Sequence, residues 1–131
     1  MTTRSIARLY DAALATSGLR QVGYTVLARL DDEGPLSINE LAARLALDRT
    51  TCSREVASLV KAGLVSVEVG EDRRRRLLAL SPVGEQTLAA ARPRWREVQS
   101  AVERAFGEDR TDELLDDLRA LLQTSEQLAA R

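Results

Sequence analysis

The stretch Leu47–Arg76 reads LDRTTCSREVASLVKAGLVSVEVGEDRRRR. It starts with a segment rich in Thr, Ser and Arg, in which apolar residues recur every three or four positions. Alternating valines follow, and the stretch ends in four successive arginines, Arg73–Arg76. The change from helical spacing to period 2 predicts a helix and then a β-hairpin. A polar helix followed by an arginine-tipped hairpin fits duplex DNA, with the helix in the major groove and the hairpin at the minor groove or backbone.

A second short helix is predicted just before this stretch, over residues 38–45. It begins at Ser37 and Glu40, which are spaced as in a capping box. Asp48 can cap the next helix, and Gly63 is a suitable stop for it. The predicted inward stripe of that helix is apolar and consists of Cys52, Val56, Leu59 and Val60. Two short helices joined by a tight turn form a helix-turn-helix.

Helices are also predicted on both sides of this unit. Residues 3–16 and about 20–32 show helical spacing, Ser81-Pro82 starts a fifth helix, and Gly107 ends it. Thr111 is predicted to cap a sixth helix with a broad leucine face. The valines before the arginine turn predict a half-buried strand, formed by Val65, Val67 and Val69. The predicted fold is therefore mainly α with a small β-hairpin, which is the wing of a winged helix-turn-helix.

The composition predicts one domain over residues 1–131 and argues against an enzyme. Histidine is absent, which removes the commonest metal ligand and the commonest general base. No metal-ligand spacing, apolar carboxylate pair or phosphate-binding glycine loop occurs, so we expect no metal and no cofactor. One cysteine and the lack of a signal peptide favour the reducing cytoplasm. No apolar run is long enough for a membrane span, so no membrane partner is expected.

The formal net charge is −1, but the charges are unevenly distributed. Between Arg44 and Arg76 eight basic residues face five acidic ones, whereas from Glu97 onward nine acidic residues face four basic ones. Local charge, rather than net charge, determines which face can attract a polyanion. The helix-turn-helix and its hairpin are therefore the predicted basic face.

The first turns of the fourth helix supply the candidate base contacts, because residues near the N-terminus of a reading helix reach the base edges. Arginines can bind guanine edges and phosphates, and threonine methyls can contact thymine methyls. The candidate DNA-reading residues are Arg49, Thr50, Thr51, Ser53 and Arg54. The alternative is an ordinary solvated polar face, but the valine strands and arginine turn that follow favour DNA.

The arginine run supplies candidate wing contacts. We expect Arg73 and Arg74 to bind the minor groove and phosphates, with Arg75 as a further phosphate contact. Arg76 is expected to be structural. Asp72 would brace the run through a charge-assisted bond to an arginine. The alternative is that the arginines only solubilise the hairpin or pair with nearby acids.

Cys52 and Trp95 each permit a functional and a structural interpretation. Cys52 could be a redox switch in the reading helix, but its spacing with Val56 and Leu59 places it in the core. Trp95 could stack on a ligand, but packing between helices is the more frequent role of such a residue. We therefore predict that Cys52 is a core residue and that Trp95 packs at a helix interface.

Taken together, these motifs closely resemble the MarR family of bacterial and archaeal transcriptional regulators. The most specific part is the Asp-Arg-Arg wing followed by Leu80-Ser81-Pro82-Val83-Gly84, and the resemblance runs from about Ile6 to the C-terminus. It implies a homodimer, with residues 3–16 and 82–130 as dimerisation helices and about 20–81 as the DNA-binding lobe. The chain lacks the first-helix cysteine of peroxide-sensing relatives, and its lack of histidine argues against zinc sensing.

The resemblance further implies a repressor of a pseudo-palindromic operator, with half-sites about one helical turn apart. Small ligands, often aromatic or anionic, would release it from double-stranded DNA. Two alternatives remain. The first is a winged-helix module that dimerises or binds protein without binding DNA. The second is a fragment of an enzyme that uses such a domain for dimerisation, against which the missing cofactor loop argues.

Overall fold

The computed structural model describes residues 2–72 and 74–130, with side chains from residue 8 onward. The elements in chain order are α1 (Thr2–Leu14), α2 (Gln21–Glu33), α3 (Ile38–Leu45), α4 (Arg49–Lys61), β1 (Val65–Val69), β2 (Arg76–Leu80), α5 (Pro82–Phe106) and α6 (Glu108–Ala129). The predicted fold class, mainly helical with a small hairpin, is confirmed. The chain forms two compact units, one extending to Trp95 and the other starting at Arg96.

The helix-turn-helix consists of α3 and α4, and its helix ends are capped as predicted. The Ser37 hydroxyl accepts a hydrogen bond from the backbone of Glu40, and the Glu40 carboxylate accepts one from the backbone of Ser37. Gly63 follows α4 with φ of +79°. The backbone N–H of Gly63 donates to the carbonyl of Val60, and the backbone N–H of Leu64 donates to the carbonyl of Leu59. This pair of bonds is a Schellman motif, which ends the helix and aims the chain into β1.

The hairpin is a two-stranded antiparallel ribbon whose register pairs Val65 with Leu80 and Val69 with Arg76. It is attached at its base to the segment before α3, because Leu36 and Leu78 exchange backbone hydrogen bonds of 3.1 and 2.7 Å. Val65 is buried, but the farther valines are not: Val67 is 44% exposed and Val69 65%. The prediction of a half-buried strand is therefore wrong beyond its first residues, because no described element covers the outer part of the ribbon.

The core of the first unit is aliphatic and joins α2, α3, α4, the base of the hairpin and the start of α5. The most deeply buried large side chains are Leu14, Leu27, Leu41, Leu88, Val26 and Cys52. Trp95 stacks on Tyr24, with ring centroids 5.4 Å apart, and lies 5.9 Å from the ring of Tyr10. The packing role predicted for Trp95 is confirmed, and so is the buried position of Cys52.

The start of α5 packs directly on the chain that links α4 to the hairpin. Ser81 caps the helix, since its hydroxyl accepts from the backbone of Gly84 at 2.9 Å. The same hydroxyl donates to the carbonyl of Gly63 at 2.6 Å, and the backbone of Ser81 donates to the carbonyl of Leu64. These hydrogen bonds are made by residues of the Leu-Ser-Pro-Val-Gly motif, and they hold the base of the wing against α5.

The second unit contains the end of α5 and the whole of α6. Helix α6 begins at Glu108, with Gly107 as its N-cap, so the prediction that Thr111 caps it is wrong. Thr111 lies one turn inside the helix and donates its hydroxyl to the carbonyl of Gly107 at 2.8 Å. The two acids Glu108 and Asp109 occupy the first turn, where the helix dipole favours negative charge. The leucines of α6 that are exposed to solvent are Leu114, Leu115, Leu118, Leu121, Leu122 and Leu128.

Candidate nucleic-acid interface

Helix α4 presents one buried face and one exposed polar face. Cys52, Val56 and Leu59 point into the core, as predicted. Val60 does not: it is 37% exposed, because it lines an open apolar groove between α4 and the hairpin. The predicted reading residues are all exposed, and they are Arg49, Thr50, Thr51, Ser53 and Arg54. The structure therefore brings these five side chains together on the first turns of one helix.

The N-terminus of α4 is fixed by Asp48. One oxygen of its carboxylate accepts from the backbone of Thr51 at 3.0 Å, and the other accepts from the Thr51 hydroxyl at 2.6 Å. These bonds hold the pKa of Asp48 below its ordinary value, with the Thr51 hydroxyl as the largest cause and its backbone as the next. The hydroxyl proton of Thr51 is thus already engaged, and its methyl group remains available for contact with thymine.

The arginines on this face differ from most others in the first unit. Within the part of the chain that the structure describes, Arg49, Arg54 and Arg74 form no ion pair. Other arginines do, and the pairs are Arg20–Glu55, Arg29–Glu33, Arg44–Glu33, Arg75–Glu40 and Arg92–Asp31. An arginine without an acidic partner breaks no ion pair when it binds a phosphate or a guanine edge. The three arginines are therefore well suited to contact a nucleic acid.

Glu55 supports the orientation of α4 and was not predicted. Its side chain is only 14% exposed, and its carboxylate lies 3.4 Å from the guanidinium of Arg20 at the start of α2. Gly23 makes room for this carboxylate, because a Cβ atom there would lie 3.1 Å from Glu55 Oε1. Asp11 in turn caps α2, since its Oδ1 accepts from the backbone of Gln21 at 2.8 Å. The one feature of the sequence that pointed to this role is the position of Glu55 between the polar and apolar faces of α4.

The turn of the hairpin is held by the backbone. Asp72 Oδ1 accepts from the backbone N–H of Arg74 at 3.1 Å, and the carbonyl of Asp72 accepts from the backbone N–H of Arg75 at 2.8 Å. The backbone of Gly70 donates to the carbonyl of Arg75 and closes the hairpin. Asp72 thus braces the turn through an amide. No ion pair joins it to an arginine side chain among the residues described, and Arg73, one of the predicted wing contacts, lies outside them.

Arg75 points back to the helix-turn-helix. Its guanidinium pairs with the carboxylate of Glu40, which also caps α3. This guanidinium is the main reason that the pKa of Glu40 lies below its ordinary value, and the Ser37 hydroxyl is the next. Glu40 was predicted only as part of the capping box. Its second role joins residues 35 positions apart, which local spacing does not reveal.

The thiol of Cys52 lies behind the reading face. It is fully buried, and burial raises its pKa, with the negative charge of Asp48 adding to the effect. A thiol becomes a good nucleophile only as the thiolate. The environment of Cys52 therefore favours an inert core residue.

A family model with the description MarR family matches residues 17–75, which include the helix-turn-helix and the wing turn. The transcriptional regulator MosR of M. tuberculosis, solved in complex with DNA, has the same fold with a TM-score of 0.86. It is 32% identical, over 96% of this chain and 91% of MosR. The chain belongs to the MarR family.

Two further proteins are similar to this MarR-family chain. A probable transcriptional regulator from Pseudomonas aeruginosa is 29% identical, with a TM-score of 0.79 over 92% of this chain and 93% of its own. The uncharacterized HTH-type transcriptional regulator YxaD of Bacillus subtilis (strain 168) is 34% identical over 76 residues. That match spans 57% of this chain and 53% of YxaD, so it covers about half of the length of that relative. The resemblance drawn from the sequence motifs is confirmed, and the matched proteins are transcriptional regulators. Across the described residues, no helix is both long and apolar enough to cross a membrane.

Proposed function

We propose that this MarR-family regulator binds double-stranded DNA through the exposed face of α4, and that it acts as a ligand-responsive homodimeric repressor. The observation that carries the proposal is the pair Arg49 and Arg54, which are exposed on the first turns of a capped helix and form no ion pair with any residue that the structure describes. Arg74 on the turn of the hairpin is a third such cation. MosR, which is 32% identical, was solved in complex with DNA, and this supports DNA binding by the present chain.

The roles of these residues follow from their positions. Arg49, Thr50 and Ser53 lie near the N-terminus of α4, where a reading helix reaches the base edges. Arg54 lies one turn further along and suits a guanine edge or a phosphate. Arg74 and Arg73 are assigned to the minor groove and phosphates, which contribute affinity and salt dependence but little sequence information.

The homodimer is supported by the leucine face of α6. Six of its leucines are exposed, from 38% for Leu115 to 62% for Leu121. A contiguous apolar face of this kind is uncommon on a monomeric protein and marks an interaction surface. A second copy of the chain is the occupant that the family implies, and two-fold symmetry would place two reading helices on a pseudo-palindromic operator.

The remaining parts of the proposal follow from the resemblance and the composition. A small aromatic or anionic ligand would release the DNA by changing the spacing of the two reading helices. We propose no enzymatic activity and no cofactor. A protein that acts on chromosomal DNA belongs in the cytoplasm of a bacterium or archaeon.

Selection from a pool of random duplexes tests DNA binding without knowledge of the operator. We expect enrichment of an inverted repeat with half-site centres about 10 base pairs apart. Binding of the selected duplex is then measured by fluorescence anisotropy for the wild type, Arg54→Ala and Arg119→Ala. Arg119 is a matched control, since it is an exposed arginine on α6.

Arg54→Ala should bind the selected duplex about tenfold or more weakly, while Arg119→Ala should bind like the wild type. A chain that folds and dimerises but enriches no duplex would favour the alternative, a winged-helix protein-interaction module. Equal affinity of Arg54→Ala and Arg119→Ala for the selected duplex would contradict a DNA contact by Arg54.

A further inference from the structure

Two arginines of the same turn have different surroundings. Arg74 forms no ion pair among the described residues, and its backbone is held by Asp72. Arg75 is the next residue, but its guanidinium pairs with Glu40 on α3, 35 positions earlier. Neighbouring arginines on one hairpin can therefore have unlike roles.

Glu40 is itself held in place, which makes it a firm anchor for Arg75. Its backbone donates to the Ser37 hydroxyl at 3.2 Å, and its carboxylate accepts from the backbone of Ser37 at 3.3 Å. The capping box limits the conformations open to the Glu40 side chain before Arg75 arrives. An ion pair formed by a pre-ordered carboxylate loses less side-chain entropy than an ordinary surface pair.

Among the described residues, the other contacts of the hairpin with the rest of the first unit lie at its base, where Val65 and Leu78 are buried in the core. Leu36 and Leu78 exchange two backbone hydrogen bonds there. Beyond this point the ribbon is exposed, as Val67 and Val69 show. A two-stranded ribbon held only at its base can bend and twist. The Glu40–Arg75 pair is an attachment close to the turn. Attachments at both the base and the turn fix the direction of the hairpin relative to α3.

We infer that Arg75 is a positioning residue that ties the wing to α3 through Glu40, and that it does not contact DNA itself. The inference rests on the proposed function, because its readout is the affinity of the wing for DNA. It assigns the DNA contacts of the wing to Arg74 and its neighbour Arg73, and it gives Glu40 a part in DNA binding although a carboxylate repels phosphate.

The direction in which Glu40→Gln changes the affinity for DNA distinguishes a positioning role of Arg75 from direct contact with DNA. If Arg75 bound phosphate directly, Glu40→Gln would remove a nearby negative charge and leave DNA binding equal or tighter. If Glu40 positions the wing through Arg75, Glu40→Gln weakens binding. Glutamine is also accepted at this position of a capping box, so α3 keeps its cap. Ser37→Ala is the matched control, because it removes the hydroxyl of the cap and leaves the ion pair.

The experiment measures the affinity of the selected duplex for the wild type, Glu40→Gln, Arg75→Gln, the double variant and the charge-swapped Glu40→Arg/Arg75→Glu. We expect each single variant to bind about 1.5- to fivefold more weakly per wing, the range of an exposed ion pair. The double variant should be no weaker than either single one, and the charge swap should recover part of the loss.

Salt titrations add a second readout. A lost phosphate contact lowers the slope of log K against log salt by about 0.9. If Arg75 contacts phosphate directly, the slope should fall for Arg75→Gln and not for Glu40→Gln. If Arg75 positions the wing, the two variants should have the same slope. Unchanged or tighter binding by Glu40→Gln, or losses that add in the double variant, would overturn the inference. Failure of the wild type to bind any duplex would instead overturn the proposed function.

Discussion

Replacing Gly84 by alanine should disrupt the joint between α5 and the wing. Gly84 is buried in the first turn of α5, and a Cβ atom there would lie 2.0 Å from the carbonyl oxygen of Leu64 and 3.0 Å from its carbon. Cβ atoms essentially never approach closer than 3.0 Å, so the two backbones must separate by at least 1.0 Å, from 2.0 to 3.0 Å. The same movement stretches the bonds from Ser81 to Gly63 and Leu64.

The expected loss can be estimated from opposing terms. In an open helix, glycine to alanine stabilises by about 1 kcal/mol. Overpacking against a backbone atom costs about 1–3 kcal/mol, and each weakened hydrogen bond about 1 kcal/mol more. For Gly84→Ala we expect a net loss of about 2 kcal/mol in the free energy of unfolding. The melting temperature should fall by roughly 6 °C or more.

Circular dichroism during thermal and urea unfolding, at one fixed protein concentration, measures this loss. Two glycines provide controls. In Gly23→Ala the tight contact is with the end of the flexible Glu55 side chain at 3.1 Å, and the leucine carbons nearby, at 3.5 and 3.7 Å, are at ordinary contact distance, so this variant should be nearly neutral. Gly63→Ala meets nothing within 4 Å but has φ of +79°, so it should cost about 1 kcal/mol. If Gly84→Ala were as stable as the wild type, the close contact with Leu64 could not be as described.

Three other predictions concern the cap, the thiol and the leucine face. The pKa of Asp48 is lowered in the folded state, so its charge stabilises above the ordinary carboxyl pKa and this contribution is lost as pH falls through the lowered value. Asp48→Asn should therefore have a lower melting temperature than the wild type at pH 7, and this difference should shrink below about pH 4. A difference in melting temperature that is independent of pH would contradict this. Cys52 should react with a thiol reagent only as fast as the protein unfolds, and rapid labelling of the native protein would show that it is accessible. Leu118→Glu should turn a dimer into a monomer in analytical ultracentrifugation, whereas Arg119→Gln, the neighbouring exposed position, should not; a wild type that sediments as a monomer would oppose the dimer.

Sequence spacing predicted the features that depend on neighbouring residues. The bounds of α3, the capping box of Ser37 and Glu40, the cap at Asp48 and the stop at Gly63 all follow from bonds within one helical turn, and all are present in the structure. Helix periodicity likewise placed Cys52 in the core.

The errors concern features that depend on what surrounds an element. Val60 and Val67 have the pattern of buried residues, but they face an open groove that the sequence does not reveal. Thr111 looks like a cap, yet the acids before it already start α6 at Glu108. The link from Glu40 to Arg75 spans 35 positions and depends on the direction of the hairpin, so no local motif contains it.

The reading role of α4 is tested by scanning every base pair of the selected half-site for the wild type and Arg54→Ala. The wild type should discriminate by about 1–3 kcal/mol at each base that a side chain reads. Arg54→Ala should lose that discrimination at one base pair of each half-site and keep it elsewhere. An identical profile for the two proteins would contradict base reading by Arg54, and a flat profile for the wild type would contradict reading by α4 altogether.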